Sequence, residues 1–467
     1  MAYKTFRLPS YTTTRIQYFY LLKQRNIRNM NTNKITSHLP GIVAPLKILI
    51  AGAGISGPSA AFWLSRIGCD VTIIERSPNL RATGQQVDIT GQGIVLARMM
   101  GIENALRAAR CPERGMRLLD SRGTSKAFFP VDTTGTAGYS PTREMEVMRG
   151  DFVQILYDAT RELQGVKYIF DRHIKYFNQD EGSTGGKVRV TLSDGTQDNY
   201  DVLIGADGIG SAMRKLLLGP SVADPRRDLG AYLAYFTAPS REDDSYDWTV
   251  CHIPGGKAIM TRRDRPENIR VYLATRVGFS ALDAATTLAE QKAALVELFK
   301  GTEGWQVKRF LHDLENSPEA DDLYCQRMSQ IRLPEGGWSK GRVVLLGDAA
   351  YCPGAIGGGV GTTAALIGAY VLAGEIAKRW KQDKQTPETF HMEDAAKEYE
   401  RIIRPFITNN SNISDWMVKL WFPKTNFGIR TLQAVAGFTA GMRISRFMSN
   451  SRTPEESQKL EYPSYFD

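Results

Sequence analysis

Residues 46–77 read LKILIAGAGISGPSAAFWLSRIGCDVTIIERS. A short apolar run, a glycine turn, a helical stretch and a second apolar run ending in Glu75 spell a β-α-β unit. Gly52, Gly54 and Gly57 stand where such a unit needs a tight turn, a backbone that can approach a pyrophosphate, and close packing of helix on sheet. The start of the helix adds free N–H groups and partial positive charge. Glu75 follows Gly57 by 18 residues, at the end of the second strand, where a carboxylate can accept from an adenosine ribose. The stretch predicts a dinucleotide site and leaves NAD and FAD equally open.

A second segment, RVVLLGDAA at 342–350, favours FAD, which is long enough to need another anchor for its ribityl chain. Asp348 ends a buried strand 291 residues beyond Gly57 and enters a loop holding Gly354, Gly357, Gly358, Gly359 and Gly361. The loop and the helix after it can donate to the flavin C2=O edge, favouring the charge that reduction creates. Read alone, Asp348 is also a plain helix cap. In a third segment, YDVLIGADGIGSAMR at 200–214, Asp207 ends a strand, with Ser211 and Arg214 at fixed spacing beyond it. As a bare string this too is a strand, a turn and a capped helix.

In order and spacing, the three segments resemble the FAD-dependent aromatic hydroxylases, single-component flavoprotein monooxygenases of the para-hydroxybenzoate hydroxylase type. The nearest branch is the tetracycline-monooxygenase-like one with its fungal natural-product relatives, and the resemblance spans about residues 46–410. It implies an adenosine site at Gly52, Gly54, Gly57 and Glu75, a ribityl-binding Asp348, and Gly361 facing the flavin. Arg149, in MRGDFVQIL, is similar to a helix-start arginine that contacts FAD. Asp88 resembles an FAD-contacting acid, Arg81 an arginine near the isoalloxazine implicated with the nicotinamide, and Asp207 with Arg214 a motif serving FAD and NAD(P)H. The implied reaction uses NADPH or NADH to reduce non-covalent FAD, captures O2 as a C4a-hydroperoxide, and hydroxylates or epoxidises an electron-rich aromatic or polyketide-like small molecule. This chemistry requires no Ser-His-Asp set or carboxylate pair, so no catalytic base is named. The family's histidine after GDAA is Tyr351 here, its proline-rich loop reads CPGAIGGGVGTT, and Ala369-Tyr370 replaces a common Asp-Ala pair. Those departures keep open an FAD-containing non-redox cyclase or isomerase. A nucleotide-sensing protein would need fewer cofactor contacts.

The expected class is α/β: a Rossmann-like FAD domain from 46–225 and 335–380, an antiparallel-sheet substrate domain at 226–334, and a C-terminal helical extension at 381–467. Period-two alternation through Tyr232, Tyr235, Trp248, Val250 and Ile259 predicts the sheet. Tyr232, Tyr235 and Trp248 are either pocket lining or core. The net charge of +9 comes mostly from seven bases within residues 1–45, which hold no acid. The rest interleaves both signs without a basic-aromatic stripe, which excludes nucleic acid as the expected partner. The arm at 1–45 is read as a disordered extension in a cytoplasmic protein, or alternatively as a mitochondrial transit segment. Five scattered cysteines fit a reducing compartment, and five isolated histidines offer no metal-ligand spacing. The most apolar long segment is taken as 428–448, broken by Arg430, Gln433, Arg443 and Arg446, so no transmembrane span is expected.

Overall fold

The structure, a computed structural model, describes residues 45–81, 84–131, 145–179, 186–354, 360–383, 389–411, 413–441 and 460–466. The expectations for the basic arm lie outside those residues. The run KILIA forms the strand Lys47–Ala51, and the GISG turn opens the helix Ser56–Arg66. Asp70–Ile74 returns parallel to the first strand, pairing Ala51 with Ile74. Lys47–Ala51 lies at the centre of a six-stranded sheet. Val202–Gly205 and then Val343–Leu345 lie on one side of it, Asp70–Ile74 and then Val166–Ile169 on the other, all parallel. Only the edge strand Ser339–Lys340 runs antiparallel. Strands so placed are covered on both faces, which is why Ile48, Leu49, Ile50 and Val202–Ile204 are apolar without alternation.

The turn after the first strand is possible only with glycine. Gly52 has φ +115°, and a Cβ there would lie 2.4 Å from the Ala206 carbonyl oxygen. A Cβ on Gly57 would lie 2.0 Å from the Gly52 carbonyl oxygen, so the helix starts against the turn that precedes it.

A second sheet has seven strands in the order Tyr324–Ile331, Arg226–Pro239, Asn268–Thr275, Lys257–Arg262, Trp248–Ile253, Gly115–Leu119 and Ser125–Pro130. The last two come from chain expected in the FAD portion, and Trp248–Ile253 pairs with Gly115–Leu119 in parallel, so the sheet is mixed. Alternation gives it two faces. Tyr232, Ala234 and Phe236 pack on Leu295, Phe299, Phe310 and Leu314 of the helices Leu288–Phe299 and Val307–Asn316. Tyr235, Met260 and Tyr272 lie on the other face with Met116 and Met328.

The helix Val360–Gln382 packs against Ser56–Arg66 and against the helix Met392–Asn410. Among the described residues it is the one helix long and apolar enough to cross a membrane, which corrects the reading that gave that place to 428–448, but 89% of its apolar window is buried in the protein. Two further helices, Asp415–Trp421 and Asn426–Gly441, fit the expected helical C-terminal region, whereas Leu460–Phe466 is not helical. That segment lies on the long helix, where Tyr465 donates from its backbone to Tyr370 Oη (3.0 Å) and from its hydroxyl to Glu375 (2.5 Å). Aromatic residues at Trp63, Tyr370, Tyr462 and Phe466 fix it there, and local periodicity cannot register such long-range packing.

Gly57→Ala should cost about 1–3 kcal/mol, because the new Cβ meets a backbone oxygen that cannot rotate away. Gly54→Ala, whose nearest neighbour is the Arg149 side chain at 3.4 Å, should change stability by only about 0.5 kcal/mol. Urea midpoints of the two variants measure the difference, and equal falls would contradict the close approach at Gly57.

Candidate active site

Parallel strands that lie side by side bring their following loops to one edge of the sheet. Gly52 follows Lys47–Ala51, Glu75 follows Asp70–Ile74, Asp207 follows Val202–Gly205, and Asp348 follows Val343–Leu345. Four positions scattered over nearly 300 residues thus open on one cavity of about 1720 Å³. Glu75 is held against the glycine turn, with Oε2 accepting from the Ala53 N–H and Oε1 from the Ser77 N–H, each at 3.0 Å. The helix Ser56–Arg66 has no side-chain cap and no acid in its first turn, leaving its positive end to an anion in the cavity. Asp207 accepts from Ser211 Oγ (2.5 Å) and from the Met213 N–H (3.0 Å), so it shapes the next turn while still lining the cavity. Asp348 is exposed to the cavity but enclosed by protein elsewhere; that enclosure raises its carboxyl pKa, opposed in part by Cys352, Arg149 and Arg214.

Arg149 opens the helix Arg149–Thr160, its N–H donating to the Gln85 carbonyl (3.0 Å), and its side chain runs past Gly84 and Gly54 into the cavity wall. Arg81 lies over the Tyr324 ring at 4.9 Å, and Asp88 ends the short strand Gln86–Asp88; both line the cavity. Gly361 stands in the first turn of Val360–Gln382, where an added Cβ would find only Pro353, at 3.6 Å. Gly357, Gly358 and Gly359 lie outside the described residues.

Arg214 is a correction. Expected at the ligand, it is fully buried and absent from the cavity wall. Its guanidinium donates to the carbonyls of Ala349 (3.0 Å) and Ile209 (2.7 Å) and lies 3.4 Å from Asp224. It therefore staples the Asp207 turn to the residue after Asp348, a positioning task that a string of residue types cannot distinguish from ligand contact. Gly57 also stays off the wall, packed against the Gly52 carbonyl.

Under the seven-stranded sheet the cavity becomes apolar and aromatic, walled by Tyr235, Trp248, Met260 and Tyr272. Tyr232 does not reach it. Tyr235 is three positions further on, an odd step that turns the two rings to opposite faces. Tyr351 is also turned away from the cavity. Its ring packs 4.6 Å from Trp338, its hydroxyl accepts from Tyr399 (3.1 Å), and burial pushes its pKa up to about 12.

A charge cluster at this end has no counterpart in the sequence reading. Arg262 pairs with Glu146, donates to Gln86 Oε1 (2.7 Å), lies 3.6 Å from Glu113, and stacks over Trp248 at 4.3 Å. Gln86 Nε2, Glu146 Oε2 and both Glu113 oxygens are buried without a hydrogen-bond partner. Two carboxylates thus share one guanidinium. Burial, with Asp88 and Asp247 nearby, raises Glu113 to about 7 against the pull of Arg262. The residues come from positions 86, 113, 146, 248 and 262, with no spacing to mark them.

Residues 45–393 match the model of the family described as FAD binding domain. The flavin-dependent monooxygenase eupH of a Phoma species is 72% identical over 421 residues, covering 90% of this chain and 98% of the relative. The FAD-dependent monooxygenase asL4 of Sarocladium schorii is 36% identical, covering 86% of this chain and 94% of the relative. Among solved structures, the tetracycline destructase Tet(51) superposes with a TM-score of 0.69 at 27% identity, covering 90% of this chain and all of that one. The chain belongs to the FAD-binding domain family, as one of its flavin-dependent monooxygenases.

Two outcomes follow from the shared arginine. Arg262→Met strands two buried carboxylates and should cost about 3–5 kcal/mol, read from the urea midpoint at pH 8. Glu113 titrates higher in the folded chain than its ordinary 4.5, so its penalty is absent below about pH 4.5 and full above about pH 7. Glu113→Gln should therefore gain on the wild type as pH rises through that window; parallel stability curves would show that Glu113 does not titrate there.

Proposed function

We propose that this enzyme uses NADPH or NADH and O2 to hydroxylate or epoxidise an electron-rich aromatic or polyketide-like small molecule. The observation that carries this reading is one continuous cavity of about 1720 Å³, above the roughly 300–1,000 Å³ of a pocket for a single small ligand. A cofactor can lie along the strand ends and still leave an apolar chamber for a second molecule. Gly52, Gly54 and the uncapped helix start fit a pyrophosphate, Glu75 fits an adenosine ribose, and Asp348 fits the ribityl hydroxyls. Asp88, Arg149 and Gly361 fit the edge of the ring system, Arg81 the approach of the nicotinamide, and Asp207 the turn beside the pyrophosphate. Bound flavin supplies acceptance of hydride and activation of O2.

The chain itself orients the substrate and keeps water out. Trp248, Met260 and Tyr272 provide a dry wall, and Gln86, Glu146 and Arg262 form its polar part. The cyclase or isomerase alternative drew on the altered loop from Tyr351 to Thr363, of which the Tyr351 side chain faces the core and residues 355–359 lie outside those described.

Asp348→Ala should weaken FAD binding by about 1–3 kcal/mol, roughly 5- to 150-fold, by removing an acceptor from the ribityl chain. Unchanged FAD affinity would remove Asp348 from the site, and flavin retained by the denatured chain would contradict non-covalent binding. With a panel of phenols and polyketides, NAD(P)H-dependent oxygen uptake and one 18O atom in the product are expected. Unlabelled product formed without O2 would replace the oxygenation with a non-redox reaction.

A further inference from the structure

The helix Asn426–Gly441 carries one charged residue, Arg430, and is apolar on both sides, a composition that suits a helix covered all round. Among the described residues only its inner side is covered. Ile429 and Gln433 are buried, and Gln433 Nε2 donates to the Leu119 carbonyl (3.0 Å), which fixes the rotation of the helix on the sheet. The outer side presents Phe427, Val435 and Phe438, respectively 80%, 57% and 63% exposed. The neighbouring helix Asp415–Trp421 adds Trp416, Met417 and Leu420, all exposed. Half of the large exposed apolar side chains among the described residues thus fall within 23 positions.

This face continues into the cavity, because Trp416, Met417, Leu420 and Val435 also line it. Its charge is mainly positive. From Asp415 to Gly441 the sequence contains one acid, Asp415, and three bases, Lys419, Lys424 and Arg430. Two copies facing each other here would bring Lys419, Lys424 and Arg430 toward their own counterparts, with Asp415 as the one acid of the segment to meet them. An anionic lipid surface matches both features, accepting aromatic and aliphatic side chains below its headgroups and attracting bases beside them.

We propose that the face formed by Asp415–Trp421 and Asn426–Gly441 docks on an anionic bilayer, setting the cavity mouth at the lipid surface. A lipophilic substrate can then pass from the bilayer to the apolar chamber without crossing water. The docking stands on the helix face and its charge; only the passage of substrate rests on the oxygenation proposed above.

The test is flotation of the full-length, FAD-loaded protein with vesicles of phosphatidylcholine alone or containing about one-third phosphatidylserine. Binding should be at least about fivefold greater on the anionic vesicles and fall as salt rises. Phe427→Ser with Phe438→Ser should abolish most of it without loss of flavin, since neither residue lines the cavity. Lys424→Glu with Arg430→Glu should remove the preference for phosphatidylserine. Absence of vesicle binding by the wild type would overturn the proposal whether or not the enzyme consumes oxygen. A dimer in sedimentation that dissociates in the double serine variant would also overturn it, giving the face to a second copy. Failed oxygen uptake with intact vesicle binding would instead count against the oxygenation reading alone.

Discussion

The site depends on how closely the turn after the first strand can approach its neighbours. With Gly52 against the Ala206 carbonyl and Gly57 against the Gly52 carbonyl, no side-chain atom separates strand end from strand end. A residue with a Cβ would force the turn outward and carry the start of the helix with it. The Glu75 carboxylate is held by the N–H of Ala53 within that same turn, so the acid is placed by the glycines as well. Arg214 makes the matching connection between the Asp207 and Asp348 turns, its charge spent on backbone carbonyls and Asp224 rather than on a ligand. Rigidity there comes from a buried guanidinium whose removal would leave several acceptors unpaired.

What could be read from the sequence was what is local. A glycine turn between strand and helix, an acid at the next strand end and a second acid after a buried strand each occupy a few consecutive residues, and their positions at the sheet edge follow from parallel pairing. The polar end of the cavity is different. Arg262 is one of several arginines on or beside the roof strands, and nothing nearby in sequence tells that its partners are Glu146, Glu113 and Gln86. Pairing of Trp248–Ile253 with Gly115–Leu119 was equally hidden, because a parallel contact between segments so far apart leaves no turn to announce it. Parity, by contrast, was available: the odd interval from Tyr232 to Tyr235 already assigns the rings to opposite faces.

The departures from the family pattern at Tyr351 and Tyr370 have a packing explanation. Tyr351 fills space between Trp338 and Tyr399, and Tyr370 meets Trp63, Tyr462, Tyr465 and Phe466. Tyr351 packs beside the long helix at Gly368 and Tyr370 belongs to it, and neither side chain lines the cavity. They are therefore evidence about how this chain secures that helix, and carry no information about the reaction.

That fastening bears on the cavity through the geometry of Val360–Gln382. Its first turn, with Gly361 and Thr362, forms cavity wall, while its middle is gripped by the returning segment through Tyr370 and the hydrogen bond from Tyr465 to Glu375. A helix is stiff along its axis, so fixing residues 370–375 also fixes the position of its amino end about three to four turns away, at roughly 1.5 Å per residue. Partial positive charge at that end acts on a cavity group only over a short range. Packing remote from the wall thus controls how strongly the helix can favour negative charge beside Gly361. Leu460–Phe466, although far from the cavity in sequence and in contact, is in this sense part of the site.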